Sequence, residues 1–212
     1  MEGHLSEVWY NHVPNHQEGE IAFLNMTIEI MGPQAAEIET SHARFVSIYR
    51  AVFTQPPYCE DEADVQDFAA RFPDHAQRPG FRCCVARQGR RIIGFAYGFT
   101  GESGDGWLNM VAERLCGDEV DTWLMDCFAF AELAVIPAAR GQGLGGQLHD
   151  ALLRGLPYRT AVLSTLSAET PALRLYRRRG WVTLLDDFVF PGGTHPYAVM
   201  GLYLEKFTAD QT

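Results

Sequence analysis

Ala131-Glu132-Leu133-Ala134-Val135-Ile136-Pro137-Ala138-Ala139-Arg140-Gly141-Gln142-Gly143-Leu144-Gly145-Gly146 is the stretch that decides the fold. Its first residues close an apolar run, 127–135, that reads as a buried strand, and Leu144, Leu148, Ala151 and Leu152 downstream share one helical face. A strand, a glycine-bearing turn and a helix start therefore follow one another directly. A helix start leaves backbone N–H groups without intrahelical acceptors and carries the positive end of the helix dipole, so it can hold phosphate without a basic side chain. Gly141, Gly143, Gly145 and Gly146 remove the side chains that would keep a pyrophosphate away, and Arg140 adds a planar cation at the rim.

Outward from this segment, residues 160–166 read as a strand. Thr170-Pro171 then looks like an N-cap followed by proline at the first helical position, and Arg177-Arg178-Arg179-Gly180 supplies cations and a glycine at that helix's end. Residues 181–190 and 197–204 pair as strands across Pro191-Gly192-Gly193-Thr194-His195-Pro196. Upstream, 26–30 alternates like a strand, Gly32-Pro33 punctuates, and Ile38, His42, Phe45, Val46, Tyr49 and Phe53 share a helical face ended by Pro56-Pro57. A second helix, with Val65, Phe68, Ala69 and Phe72, is expected to stop before Pro73. Residues 81–87 and 91–100 flank Gln88-Gly89-Arg90 as a hairpin, and Trp107, Leu108, Val111 and Leu115 mark a further helix. Asp118, Glu119 and Asp121 are expected in a polar connection. Hairpins mixed with strand–helix–strand units give an α/β fold, a mixed, mostly antiparallel sheet flanked by helices.

A chain of 212 residues with 47% hydrophobic content can bury one sizeable core, so residues 26–207 are expected as a single domain, with 1–25 as an N-terminal extension and 208–212 as a tail. Met26 is an alternative natural start. The net charge of −10 argues against a nucleic-acid binder and favours a cationic amine. No apolar run approaches the ~20 residues that span a bilayer, and Met1-Glu2-Gly3-His4 lacks the regions of a signal peptide, so a cytoplasmic protein without membrane contacts is expected. The odd set Cys59, Cys83, Cys84, Cys116 and Cys127 contains no C-x-x-C, and His4, His12 and His16 are irregularly spaced, so neither disulfides nor a metal site is expected. Cys83 and Cys84, adjacent in a strand, should point to opposite faces.

Gly141, Gly143 and Gly146 also satisfy G-x-G-x-x-G, and Glu169 lies near the acidic position of a dinucleotide site. Against that reading, Pro137-Ala138-Ala139-Arg140 separates the strand from the first glycine, and too few strands follow to complete a doubly wound sheet.

Here the sequence resembles the GNAT superfamily of N-acetyltransferases. The R/Q-x-x-G-x-G/A signature of that family is met by Arg140, Gly143 and Gly145, and Leu133-Ala134-Val135 matches its splayed central strand. A second family segment, a helix ending in tyrosine, charged residues and Gly-Phe/Trp, is matched by Ala172-Leu173-Arg174-Leu175-Tyr176-Arg177-Arg178-Arg179-Gly180-Trp181. Glu169 stands where the family often has asparagine, which bears on one pantetheine hydrogen bond and not on the fold.

The resemblance implies direct acetyl transfer from acetyl-CoA, as co-substrate, to an amine in a ternary complex. The pyrophosphate would sit on the N–H groups of Gly141, Gln142, Gly143, Leu144, Gly145 and Gly146, beside Arg140. The pantetheine arm would run along Leu133, Ala134 and Val135, with the Val135 N–H on the thioester carbonyl. Tyr176 is the candidate general acid and Glu132 the candidate base. Tyr49 and Tyr58, with Trp107 and Asp126 closing the site, are the candidate acceptor contacts, and Glu60, Asp61 and His195 also fall in the segments that select the acceptor. The expected partner is a small cationic amine, as in aminoglycoside N-acetyltransferases, with room for a homodimer. A protein or peptide N-acetyltransferase and a non-catalytic acyl-CoA-binding regulator are the competing readings.

Overall fold

The computed structural model describes residues 26–31, 36–102 and 104–205. The N-terminal extension, Gly32-Pro33 and the C-terminal tail lie outside them, whereas Met26, the alternative start, is the first described residue. Strand β1 (Met26–Met31) leads to α1 (Ala36–Phe53) and α2 (Glu62–Ala76), then to the hairpin β2 (Arg82–Gln88) and β3 (Arg91–Thr100). Two short helices, α3 (Gly106–Ala112) and α4 (Gly117–Trp123), precede β4 (Cys127–Val135), a 3-10 turn at Pro137–Ala139 and α5 (Leu144–Leu153). Strand β5 (Thr160–Leu166), α6 (Pro171–Arg178), β6 (Val182–Val189) and β7 (Pro196–Tyr203) complete the order.

The strands form one sheet in the order β1-β2-β3-β4-β5-β7-β6. Among the described strands the β4–β5 neighbours alone are parallel, and they stay paired only over Cys127↔Thr160, Phe128↔Ala161 and Ala129↔Val162. Beyond Ala129, β4 remains on β3 through Val135 while β5 remains on β7 through Leu166, so the sheet opens between them. A register shift opposite Tyr97 and Gly98 falls in β4 where the opening begins, as expected of a bulge that re-aims a strand. The expected mixed, mostly antiparallel sheet with a splayed central pair is what the chain adopts.

The core lies on both faces of this sheet. Helices α1 and α2 cover one face through Phe45, Phe68 and Phe72, packed against Phe95 and Tyr97, with Phe45 and Tyr97 edge-on to Phe72 and Phe45 tilted against Phe95. Helix α5 covers the other face through Leu148 and Leu152, with Phe128 and Leu163 beneath. Cys83 joins the first cluster and Cys84 the second, as alternation along a strand requires.

Two expectations are corrected. Helix α2 runs through Pro73 instead of stopping before it. Proline removes the N–H that would bond to the Ala69 carbonyl, and the His42 Nε2–H donates to that carbonyl instead at 3.0 Å, so the helix continues without a buried orphan. The acidic connection around Asp118 is helix α4, held at its start by the Glu119 carboxylate, which accepts from the Cys116 N–H at 3.0 Å.

Candidate active site

The opening between β4 and β5 becomes a cleft of about 660 Å³, bounded by Leu133 and Val135 of β4, by Arg140, Gly141 and Gly143–Gly146 of the turn, and by Ala172, Leu175 and Arg179 of α6. Gly141 and Gly143 have φ of +78° and +77°, a region closed to ordinary side chains, so the turn needs glycine at both places. The first helical bond of α5 runs from Gln147 N–H to Gly143 O, which leaves the N–H groups of Leu144, Gly145 and Gly146 with no intrahelical acceptor. Such a row of donors in a deep cleft, with Arg140, Arg178 and Arg179 in its wall, suits a pyrophosphate-bearing ligand.

The β4 register adds one more donor. Ile136 N–H bonds to Ile93 O at 2.9 Å, making those two a hydrogen-bonded pair and Gly94↔Val135 the non-bonded pair beside it. The Val135 N–H therefore points away from β3, toward the edge that β5 has left.

A second, smaller cavity of about 200 Å³ opens on the other side of β4, between Tyr49, Glu60, Arg71, Glu132, Tyr176 and Tyr197. It shares Tyr58, Leu133 and Ala172 with the larger cleft, so the two spaces meet at the point where β4 and β5 part. The Glu132 side chain is only 13% exposed, and burial pushes its carboxyl up to about 8, with the Arg71 cation pulling the other way and Glu60 adding to the rise. Arg71 Nη2 stands 3.9 Å from Glu132 Oε2 and 3.4 Å from Tyr49 Oη. Burial also raises Glu60, and its Oε2 is buried without a hydrogen-bond partner.

Tyr176 is buried on α6 with its ring against Phe130, His149 and Trp181. Burial holds its hydroxyl far above the ordinary phenol range, so it keeps its proton at any working pH. Its helix is fixed to α5 by a chain of contacts. The Trp181 Nε1–H donates to His149 Nε2 at 2.8 Å, His149 Nδ1–H donates to Asp150, and Arg179 holds Asp150 through two bonds of 2.8 Å. That chain ties the phosphate-facing helix to the tyrosine helix across the cleft.

The structure brings together Glu132, Tyr176, Tyr49 and Tyr58 in the small cavity, and Leu133, Val135, Arg140, Gly141, Gly143, Leu144, Gly145 and Gly146 in the large one. Ala134 is buried on the opposite face of the sheet among the α1–α2 cluster, and Gln142 lines neither space. Trp107 and Asp126 are not brought in. Trp107 packs against the small clusters around Leu108 and Val111, and Asp126, at the closed end of the splay, accepts from the Arg159 N–H at 3.1 Å. Asp61 caps α2, and His195 is exposed on the β6–β7 turn. Arg71 is the site residue that the sequence reading overlooks, although a cation three places after Phe68, on the buried stripe of α2, marks it.

Residues 79–183 match the family described as Acetyltransferase (GNAT) domain. A GCN5-like protein acetyltransferase of Mycobacterium tuberculosis is 30% identical over 118 residues, 52% of this chain and 57% of that protein, so the match spans little over half of the relative's length. Among solved structures, yncA, a putative acetyltransferase from Salmonella typhimurium with its cofactor acetyl-CoA, superposes with a TM-score of 0.59 at 20% identity, covering 89% of this chain and 99% of that one. The spermidine/spermine N-acetyltransferase SpeG from Vibrio cholerae superposes with a TM-score of 0.54 at 13% identity, covering 87% and 96%. The signature turn, the splayed strands and the tyrosine helix all lie within residues 79–183, the segment that matches the GNAT acetyltransferase domain.

Proposed function

We propose that this chain is an acetyl-CoA-dependent N-acetyltransferase that moves an acetyl group to the primary amine of a small molecule by direct transfer in a ternary complex. The observation that carries the reading is the meeting of two unlike cavities at Tyr58, Leu133 and Ala172, one walled by unpaired N–H groups and arginines, the other by a raised carboxylate. Acetyl-CoA supplies an acetyl group already activated as a thioester. The turn from Gly141 to Gly146 would hold its pyrophosphate, and Leu133 and Val135 would flank its arm.

The acceptor arrives as an ammonium ion, drawn by Glu60 and Glu132. Glu132 takes its proton, a task suited to a group titrating near the amine's working range. The Val135 N–H donates to the carbonyl oxygen on which negative charge grows during attack. Tyr176 gives its proton to the departing sulfur. The small volume of the acceptor cavity supports a small molecule. The protein acetyltransferase named among the relatives supports a second reading, in which an exposed protein amine enters the same cavity.

Thiol release from acetyl-CoA, measured against aminoglycosides, polyamines, amino acids and peptides, tests this. Release with at least one small amine, faster than with any peptide, is expected. Tight acetyl-CoA binding with no release across the panel would overturn it in favour of an acyl-CoA-binding regulator.

A further inference from the structure

The acceptor cavity holds a cation as well as two carboxylates. Arg71 lines it with the Tyr97 hydroxyl also beside it, and its distances of 3.4 Å to Tyr49 and 3.9 Å to Glu132 exceed the roughly 2.7–2.9 Å of a formed charge-assisted bond. The guanidinium lies over the Tyr49 and Phe68 rings at 5.7 and 5.5 Å, contacts that fix its place without using up its N–H donors. Its side chain is still 40% exposed. Glu60 Oε2, in the same wall, is buried and lacks a donor. The cavity thus offers an anion site and a cation site side by side.

We propose that the acceptor is a free α-amino acid with an uncharged, apolar or aromatic side chain. Its ammonium group is received by Glu132 and Glu60, and its carboxylate by the fork of Arg71. This rests on the acetyltransferase reading above. The amino nitrogen and carboxyl carbon of an α-amino acid are two bonds, about 2.5 Å, apart. A ligand that answers both Glu132 and Arg71, whose nearest charged atoms are 3.9 Å apart, needs its own charges that close together. Arg71 suits a carboxylate because its planar donors match two oxygens at once. A polyamine or aminoglycoside would set a further cation against Arg71. A peptide N-terminus presents a neutral amide there and leaves the guanidinium unanswered. The cavity, about 200 Å³ and walled by Phe53, Tyr58, Phe190 and Tyr197, gives an apolar side chain its contacts.

The test compares matched amines with acetyl-CoA: phenylalanine, phenylalanine amide and phenethylamine, then leucine and isoamylamine. The wild type is expected to favour each amino acid over its carboxylate-free partner by about a hundredfold in kcat/KM, and free phenylalanine to raise the melting temperature of the CoA-saturated protein. Arg71→Gln should collapse that ratio to near one, and Arg71→Lys, which keeps the charge but not the fork, should leave it in between. A residue that merely steadied Glu132 would slow both members of a pair alike and leave the ratio intact, which would overturn the proposal. Acetylation of phenethylamine or polyamines in preference to amino acids would overturn it too, while leaving the acetyltransferase reading standing. Absence of thiol release with every amine would remove both.

Discussion

Glu132→Gln keeps the shape of the side chain and removes its capacity to accept a proton, so it isolates the proposed base. With the carboxyl at about 8, roughly a tenth of the wild-type molecules carry the working carboxylate at pH 7. The acceptor kcat/KM, followed by thiol release at saturating acetyl-CoA, should therefore climb about tenfold from pH 7 to well above 8. The variant should lose that limb and fall by roughly 10²–10⁴-fold at the plateau, the range of a positioned general base. Removing the neighbouring cation in Arg71→Gln should move the limb upward. At 3.9 Å, and with Arg71 40% exposed, the screened attraction is about 1 kcal/mol, or roughly 0.7 of a pH unit. Stability should move the other way. A carboxyl raised on folding stabilises most below its unfolded value of 4.5, and that contribution is lost as pH rises through about 8, so Glu132→Gln should raise the urea midpoint at pH 8.5. An enzyme that keeps both its turnover and its pH–rate profile in Glu132→Gln would refute this assignment.

Tyr176→Phe should lower kcat about a hundredfold while leaving the acetyl-CoA dissociation constant unchanged, and unaltered turnover would remove the hydroxyl from the mechanism. Gly143→Ala forces a side chain to φ +77°, at a cost of roughly 1–2 kcal/mol, and should weaken acetyl-CoA binding in calorimetric titration as well as lower the melting temperature. Trp181→Phe takes the indole donor from buried His149 and should cost roughly 1–3 kcal/mol in denaturant unfolding. Burial lowers the pKa of His149, so its contribution is fully present above the unfolded value of 6.5 and is lost as pH falls below it. The difference in urea midpoint between pH 7.5 and pH 5 should accordingly shrink in His149→Gln.

Long periodic segments and the turn chemistry were legible in the sequence. The strand at Cys127–Val135, the glycine turn and the Tyr176 helix could be placed because apolar alternation, helical stripes and capping residues agree with one another there. Helix α4 was not, since Gly117–Trp123 spans less than two turns and offers only Val120 and Trp123 as a stripe. Pro73 misled because the compensation for its missing N–H comes from His42 on another helix, a tertiary fact without a local signature. Glu132 and Tyr176 lie in or beside the family segments, whereas Tyr49, Tyr58, Trp107 and Asp126 rest only on their place along the chain, and of these Trp107 and Asp126 fall outside both cavities. Arg71 was hidden by the apolar stripe around it, yet it is the group that makes the acceptor cavity two-signed.

Acetyl-CoA is expected to occupy the opening between β4 and β5 and to present its acetyl group to the small cavity. A crystal structure of the chain soaked with acetyl-CoA tests it most directly. The pyrophosphate is expected within hydrogen-bond reach of the N–H groups between Gly141 and Gly146, and the thioester carbonyl on the Val135 N–H. Acetyl-CoA bound with its acetyl group away from Glu132 and Tyr176, or bound outside the cleft, would contradict it.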